Sequence, residues 1–163
     1  MSAEIQRKTE TAMEQEKFMK IAVAEAKKAA AAGEVPIGAC IVADGKVIAR
    51  AHNTRETKKN ALHHAELLAI DKACKKLGGW RLFMCDIYVT LEPCPMCAGA
   101  IVNSRIKHVY FGAKDKKAGA FGSKFDMNEM GLNHIPKITS GVLCDECQSL
   151  LTDFFKGLRE IKK

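Results

Sequence analysis

The chain has 163 residues, 47% hydrophobic and 28% charged, with a net charge of +7. That balance is ordinary for one globular domain able to bury a core unaided, and no apolar run approaches the ~20 residues needed to cross a bilayer. Seven cysteines is an odd number, and the charged N-terminus lacks a secretory signal core, so reduced thiols in a cytoplasmic protein are expected instead of a disulfide framework.

Met13–Ala32 is Ala-rich, with Phe18, Ile21, Ala22, Ala26 and Ala29 at helical spacing, and Gly33 supplies a stop. Residues 1–15 read as an N-terminal extension whose order stays open; 16–163 read as a single domain. Ile37–Val42 and Lys46–Ala51 are short apolar runs around Ala43-Asp44-Gly45, a hairpin signal. His64–Leu77 predicts a second helix, ended by Gly78-Gly79. Asp86–Thr90 predicts a buried strand, Pro95–Asn103 a short helix, and His108–Gly112 another strand.

The Gly- and Lys-rich stretch Ala113–Lys124 reads as a long functional loop. A turn of helix over Asp126–Met130 and a strand over Ile135–Thr139 follow. The last helix, Asp145–Ile161, carries Leu150, Leu151, Phe154, Phe155 and Leu158 on its apolar face. This order of elements implies an α/β fold: a mixed sheet of about five strands, covered by helices on both faces.

The charge is uneven. Asn103–Lys124 carries six basic residues and one acid, Asp115, and Asp153–Lys163 carries four basic residues and two acids. These two stretches hold the whole surplus. A polyanionic partner is one reading of such clustering, and a solvated loop with a basic tail is the other.

The chemistry lies in His64-Ala65-Glu66 and Pro93-Cys94-Pro95-Met96-Cys97. Cys94 and Cys97 are three apart at a helix start, so their sulfurs share a face, and the helix N-terminus favours thiolate over thiol. Pro95 loses no hydrogen bond in a first helical turn. One imidazole and two thiolates are enough to hold zinc with a coordination position open, as catalytic sites do, whereas structural sites close with four protein ligands. Glu66 beside such a site reads as a proton carrier. The arrangement suits attack of water on an amidine-like carbon with loss of ammonia.

Two alternatives compete for these residues. His63 lies close enough to rival His64 as a ligand, although the register of the motif selects His64 and leaves His63 to the loop or surface. Cys144 and Cys147 could join Cys94 and Cys97 in a four-Cys zinc module that binds without catalysing. The stretch from Cys97 to Cys144 is more than twice the ~15–20 residues of the usual four-Cys pattern, and His64 and Glu66 would have no task. Cys144 and Cys147, with Cys40, Cys74 and Cys85, read as packing residues.

With these motifs in place the chain resembles the bacterial tRNA-specific adenosine deaminases of the cytidine-deaminase-like superfamily. The resemblance runs from about Glu16 to Arg159. It rests on Glu34-Val35-Pro36-Ile37-Gly38-Ala39, Asn53, His64-Ala65-Glu66, Trp80-Arg81-Leu82 and the run from Tyr88 to Ile101. It continues through Gly112-Ala113-Lys114-Asp115, Gly119-Ala120-Phe121-Gly122-Ser123, Leu132-Asn133-His134 and Phe154-Phe155. Free-base deaminases share the Cys motif; the later segments point to the tRNA branch.

The resemblance implies a three-layer α/β/α fold, a homodimer, and conversion of adenosine to inosine at the wobble position of a tRNA anticodon. It implies one zinc per chain, held by His64, Cys94 and Cys97, with Glu66 moving protons. Asn53 would hydrogen-bond the target nucleoside, the main chain at Ala65 would hold the base edge, and Val35, Pro36 and Ile37 would line the base pocket. Lys114, Asp115 and the loop to Ser123 would meet the backbone of the anticodon stem-loop, with the final helix alongside. A small-molecule deaminase of guanine or cytosine type is the runner-up, with the same zinc chemistry and no use for the basic loop. One segment departs from the family: Asn60, Ala61, Leu62 and His63 stand where Asp-Pro-Thr-Ala is usual, which bears on the loop leading into the site and on the choice of tRNA.

Overall fold

The computed structural model describes residues 1–163. Helix α1 spans Ala3–Ala31, strands β1 and β2 span Gly38–Ala43 and Lys46–His52, and α2 spans Ala65–Leu77. Then come β3 (Cys85–Leu91), α3 (Pro95–Asn103), β4 (His108–Ala113), a single 3-10 turn (Met127–Glu129), β5 (Lys137–Ser140) and α4 (Cys144–Ile161).

The sheet order is β2-β1-β3-β4-β5. The two pairings of β1, with β2 and with β3, are antiparallel; β3–β4 and β4–β5 are parallel. In the hairpin, Ala43 pairs with Lys46 and leaves Asp44 and Gly45 as a two-residue turn. Both turn residues have positive φ, 51° and 69°, the geometry whose twist matches that of the flanking strands.

Alternation along the central strands divides the core in two. Ala39, Ile41, Ile87, Val89, Val109 and Phe111 face α2 and α3. Cys40, Val42, Tyr88 and Tyr110 face α1, and with them pack Phe18, Met19, Ala22 and Val23. Helix α4 covers the outer end of that second face, where Cys147 sits among its buried residues. The result is the expected three layers.

The first helix starts ten residues earlier than the apolar spacing indicates. Ser2 caps it by accepting from the Ile5 amide at 3.3 Å, and Lys8–Glu4 forms an i,i+4 ion pair at 2.8 Å. Residues 3–14 are exposed throughout, so no buried stripe marks them, and capping with local pairs accounts for the helix. The last strand starts two residues later than its apolar pattern, because Pro136 has no N–H and the ladder begins where the Lys137 amide reaches Lys107 O at 3.0 Å. The expected helix over Asp126–Met130 is one 3-10 turn capped by the Asp126 side chain.

Gly38 marks the closest approach of α1 to the sheet: a Cβ there would overlap Ala22 O and the Ala26 amide. Gly38→Ala is expected to cost about 1–3 kcal/mol through overpacking. Thermal unfolding should show it as a lowered midpoint, by roughly 2–4 °C per kcal/mol in a domain of this size.

Candidate active site

Two helix N-termini converge at one point. His64 is the N-cap of α2 and Cys94 the N-cap of α3, and neither side chain caps its own helix. Ser, Thr, Asp or Asn would normally fill these positions to satisfy the free amides. Here the caps are left to an imidazole and a thiol that turn toward each other. Cys97 lies in the first turn of α3, buried, with Pro95 at the helix start.

His64 Nδ1 lies 3.6 Å from Cys94 Sγ and 3.5 Å from Cys97 Sγ, and all three ligand atoms fall within 4.8 Å of one another. Zinc bonds of ~2.3 Å to sulfur and ~2.0–2.1 Å to nitrogen, at tetrahedral angles, put nitrogen and sulfur about 3.5–3.6 Å apart. The donor set fits the ion in type and in spacing. No fourth protein donor belongs to the group.

By themselves the three donors share protons. A hydrogen bond from Cys97, then one from His64, hold the Cys94 thiol down at about 4, while the same hydrogen bond and burial push Cys97 up. The His64 imidazole is raised, chiefly by its hydrogen bond to Cys94. The Cys94 sulfur is thus favoured as a thiolate that its two neighbours hydrogen-bond, and a divalent cation at their centre would replace those protons.

Glu66 stands in the first turn of α2 and is 4% exposed. Burial pushes its carboxyl up to about 7, with the nearby Cys94 charge acting in the same direction. A proton carrier works best with a pKa near the operating pH.

A cavity of about 110 Å³ opens beside His64, lined by Val35, Ile37, Asn53, Arg55, His64 and Ala65. Four of the five expected pocket residues meet there. Pro36 is buried but does not line the cavity, because the chain alternates and turns its ring inward between Val35 and Ile37. Asn53 is 5% exposed; its Nδ2 donates to Val35 O at 3.2 Å and its Oδ1 accepts from the Arg55 amide at 3.1 Å. Asn53 therefore ties the two pocket walls together, with one amide hydrogen and one lone pair left over. The Ala65 N–H is a first-turn donor of α2 that helix geometry leaves without an internal partner.

Val35 also lines a larger groove of about 690 Å³ between the loop after β4 and α4, with Lys114, Asp115, Lys116, Lys117 and Arg159 among its residues. Gln148, Leu151, Thr152 and Phe155 supply the α4 side. The basic loop and the basic end of the chain, far apart in sequence, form one surface. Asp115 turns its carboxylate inward to accept from the amides of Lys117 at 3.0 Å and Ala118 at 3.2 Å, so it shapes the loop.

Two buried carboxylates that hold loops around the site escaped sequence reasoning. Glu34, 1% exposed, accepts from the Glu56 amide at 3.0 Å and from Thr57 N and Oγ1 at 2.8 and 2.6 Å. It pins the loop that runs on to Asn60–His63. Glu92 does the same for the loop after β4. Their place in the motif strings was visible; apart from the Thr57 and Ser123 hydroxyls, their partners are backbone amides, which leave no mark in a sequence.

His63 lies in the turn before α2, with Nδ1 at 3.3 Å from Thr54 Oγ1, outside the donor group. All seven cysteines are unpaired. Cys40, Cys85 and Cys147 are buried and Cys74 half-buried, whereas Cys144 is exposed. Cys144 is thus not a packing residue: it opens α4 on the solvent side, while Cys147, a turn later, packs against Gly112.

The sequence profile of the MafB19-like deaminases matches residues 13–159. The tRNA-specific adenosine deaminase of Bacillus subtilis (strain 168) is 54% identical over 149 residues, 91% of this chain and 92% of its own length. A solved tRNA:A34 deaminase, from work on A-to-I editing at the wobble position of transfer RNA, superposes with a TM-score of 0.77 at 42% identity. That match covers 82% of this chain and 98% of the other. The guanine deaminase of Bacillus subtilis superposes with a TM-score of 0.61 at 35% identity, over 82% of this chain and 91% of its own.

Proposed function

We infer the activity from kinship: the chain belongs to the MafB19-like deaminases and, among them, to the tRNA-specific adenosine deaminases. It is a hydrolase that deaminates adenosine to inosine in tRNA. The wobble position of an anticodon stem-loop is the target, the working protein is a homodimer in the cytoplasm, and each chain carries one zinc ion. No helix is long and apolar enough to cross a membrane.

The observation that carries the reading is the junction at Val35. This residue lines both the small pocket beside His64 and the basic groove leading to α4. A base flipped out of its stack fits the first, and the phosphates on either side of it fit the second.

His64, Cys94 and Cys97 hold the zinc, which when bound supplies the Lewis acidity that lowers the pKa of a water to about 7. Glu66 takes one proton from the attacking water and gives it to N1 of the adenine ring as the C6–O bond forms. It then moves the remaining hydroxyl proton to the exocyclic nitrogen, the C6–N bond breaks, and ammonia leaves with inosine as product. The N-termini of α2 and α3 favour negative charge at the centre, which helps hold both sulfurs as thiolates. Val35, Ile37 and the Ala65 main chain receive the base, and Asn53 keeps those walls at a fixed separation. Lys114, Lys116, Lys117 and Arg159 meet the RNA backbone.

Incubation with an anticodon stem-loop carrying a wobble adenosine should yield inosine, with free guanine, cytosine and adenosine as parallel substrates. Turnover of guanine and none of the stem-loop would favour the guanine-deaminase reading, to which the 35% identical neighbour lends weight. Lys116→Glu with Lys117→Glu should weaken stem-loop binding. It should also flatten the log–log salt dependence by about 0.7 for each phosphate that the protein no longer neutralises. An unchanged slope would place the RNA interface elsewhere.

A further inference from the structure

Glu92 directly follows β3 and stands two residues before Cys94. It is 2% exposed and takes part in no ion pair. Its hydrogen-bond donors all come from one stretch of chain. Oε1 accepts from the Asp115 amide at 3.3 Å and from Ser123 Oγ; Oε2 accepts from the amides of Phe121 at 3.1 Å and Ser123 at 3.2 Å.

The stretch is built to receive this carboxylate. Gly119 passes so close that a Cβ there would overlap the Glu92 carboxyl group. The Ala120 amide donates to Pro93 O at 2.9 Å, in the residue between Glu92 and Cys94. Phe121 anchors the far side in the core. Lys114 and Lys116 line the cavity beside Glu92 but form no ion pair with it. A buried carboxylate without an ion pair needs several N–H and O–H donors, and here one loop supplies them all.

We propose that Glu92 is a positioning residue that holds Asp115–Ser123, and with it Lys114, Lys116 and Lys117, in the shape that meets the RNA backbone. It fixes that loop to the same strand end that presents Cys94, so the RNA-facing wall and the metal ligand share one frame. The proposal rests on the reading of the basic groove as the RNA surface given above.

The test uses the full-length zinc-loaded protein. Glu92→Gln keeps the side chain's shape but turns an amide NH2 toward N–H donors. Amide hydrogen exchange over Asp115–Ser123 should speed up, while α1 and the β1–β2 hairpin keep their protection. KM for the stem-loop should rise on the order of 10-fold, with kcat falling much less, since binding geometry is what is lost. Glu92→Asp should recover part of both effects, and Ser123→Ala, which removes one donor without touching the buried charge, should give a weaker version of the same pattern.

Unchanged exchange in Glu92→Gln and in Ser123→Ala overturns the clamp. Faster exchange with unchanged stem-loop KM overturns the positioning role, provided the Lys116→Glu, Lys117→Glu variant does weaken binding. If that charge reversal leaves affinity intact, it is the reading of the groove that fails, while the exchange data still decide the clamp.

Discussion

Replacing Glu66 by Gln or Ala is expected to abolish inosine formation while leaving zinc at its wild-type stoichiometry. General acid–base help is typically worth about 10²–10⁴-fold, and Glu66 is assigned more than one proton transfer, so a loss at the upper end of that range is expected. The side chain is buried, yet it is not one of the three donors that converge on the metal position. Metal analysis and single-turnover assays on the same preparation separate the two roles. Normal turnover in Glu66→Gln would remove the carboxylate from the mechanism; loss of zinc in that variant would make it a structural support instead.

The second large effect concerns the donor triad. Cys94→Ala or Cys97→Ala leaves two ligands where three are needed, and both activity and bound zinc should fall to background. In the wild-type protein, dialysis against a chelator should do the same reversibly, with activity restored by added Zn²⁺. The folded protein binds zinc through donors brought from two helices, so metal should also raise the unfolding midpoint; saturation at 100 times the dissociation constant is worth about 2.7 kcal/mol. Full deamination by a preparation in which no metal is found would end the zinc reading. A fourth protein donor completing the coordination shell would instead end the catalytic role of the ion, because the open position is what leaves room for water.

These predictions draw unequally on sequence and structure. The sulfur pair is legible because spacing within a helix is local: Cys94 and Cys97 share a face whatever surrounds them, and Pro95 marks the helix start. The α2 boundaries are nearly as plain, since Gly78 stops the helix in a left-handed conformation with φ 71°. Helix α1 outruns its apolar pattern because such periodicity reports burial, and its first turns bury nothing. Part of the expected apolar face of α4 is similarly uncovered: Leu151 is buried, but Phe155 remains 44% exposed on the rim of the basic groove.

Donor chemistry and the alternation of elements were therefore written in the chain before it folded. Residue type settles what an imidazole, a thiol or a carboxylate can do, and short-range periodicity settles helix or strand. It took the folded arrangement to join pocket to groove at Val35, to tie one wall to the other through Asn53, and to hold the two loops on Glu34 and Glu92. Those links form between backbone amides and side chains brought together from distant parts of the chain. Every residue but proline carries the same amide, so no pattern of side chains announces which ones a buried carboxylate will gather.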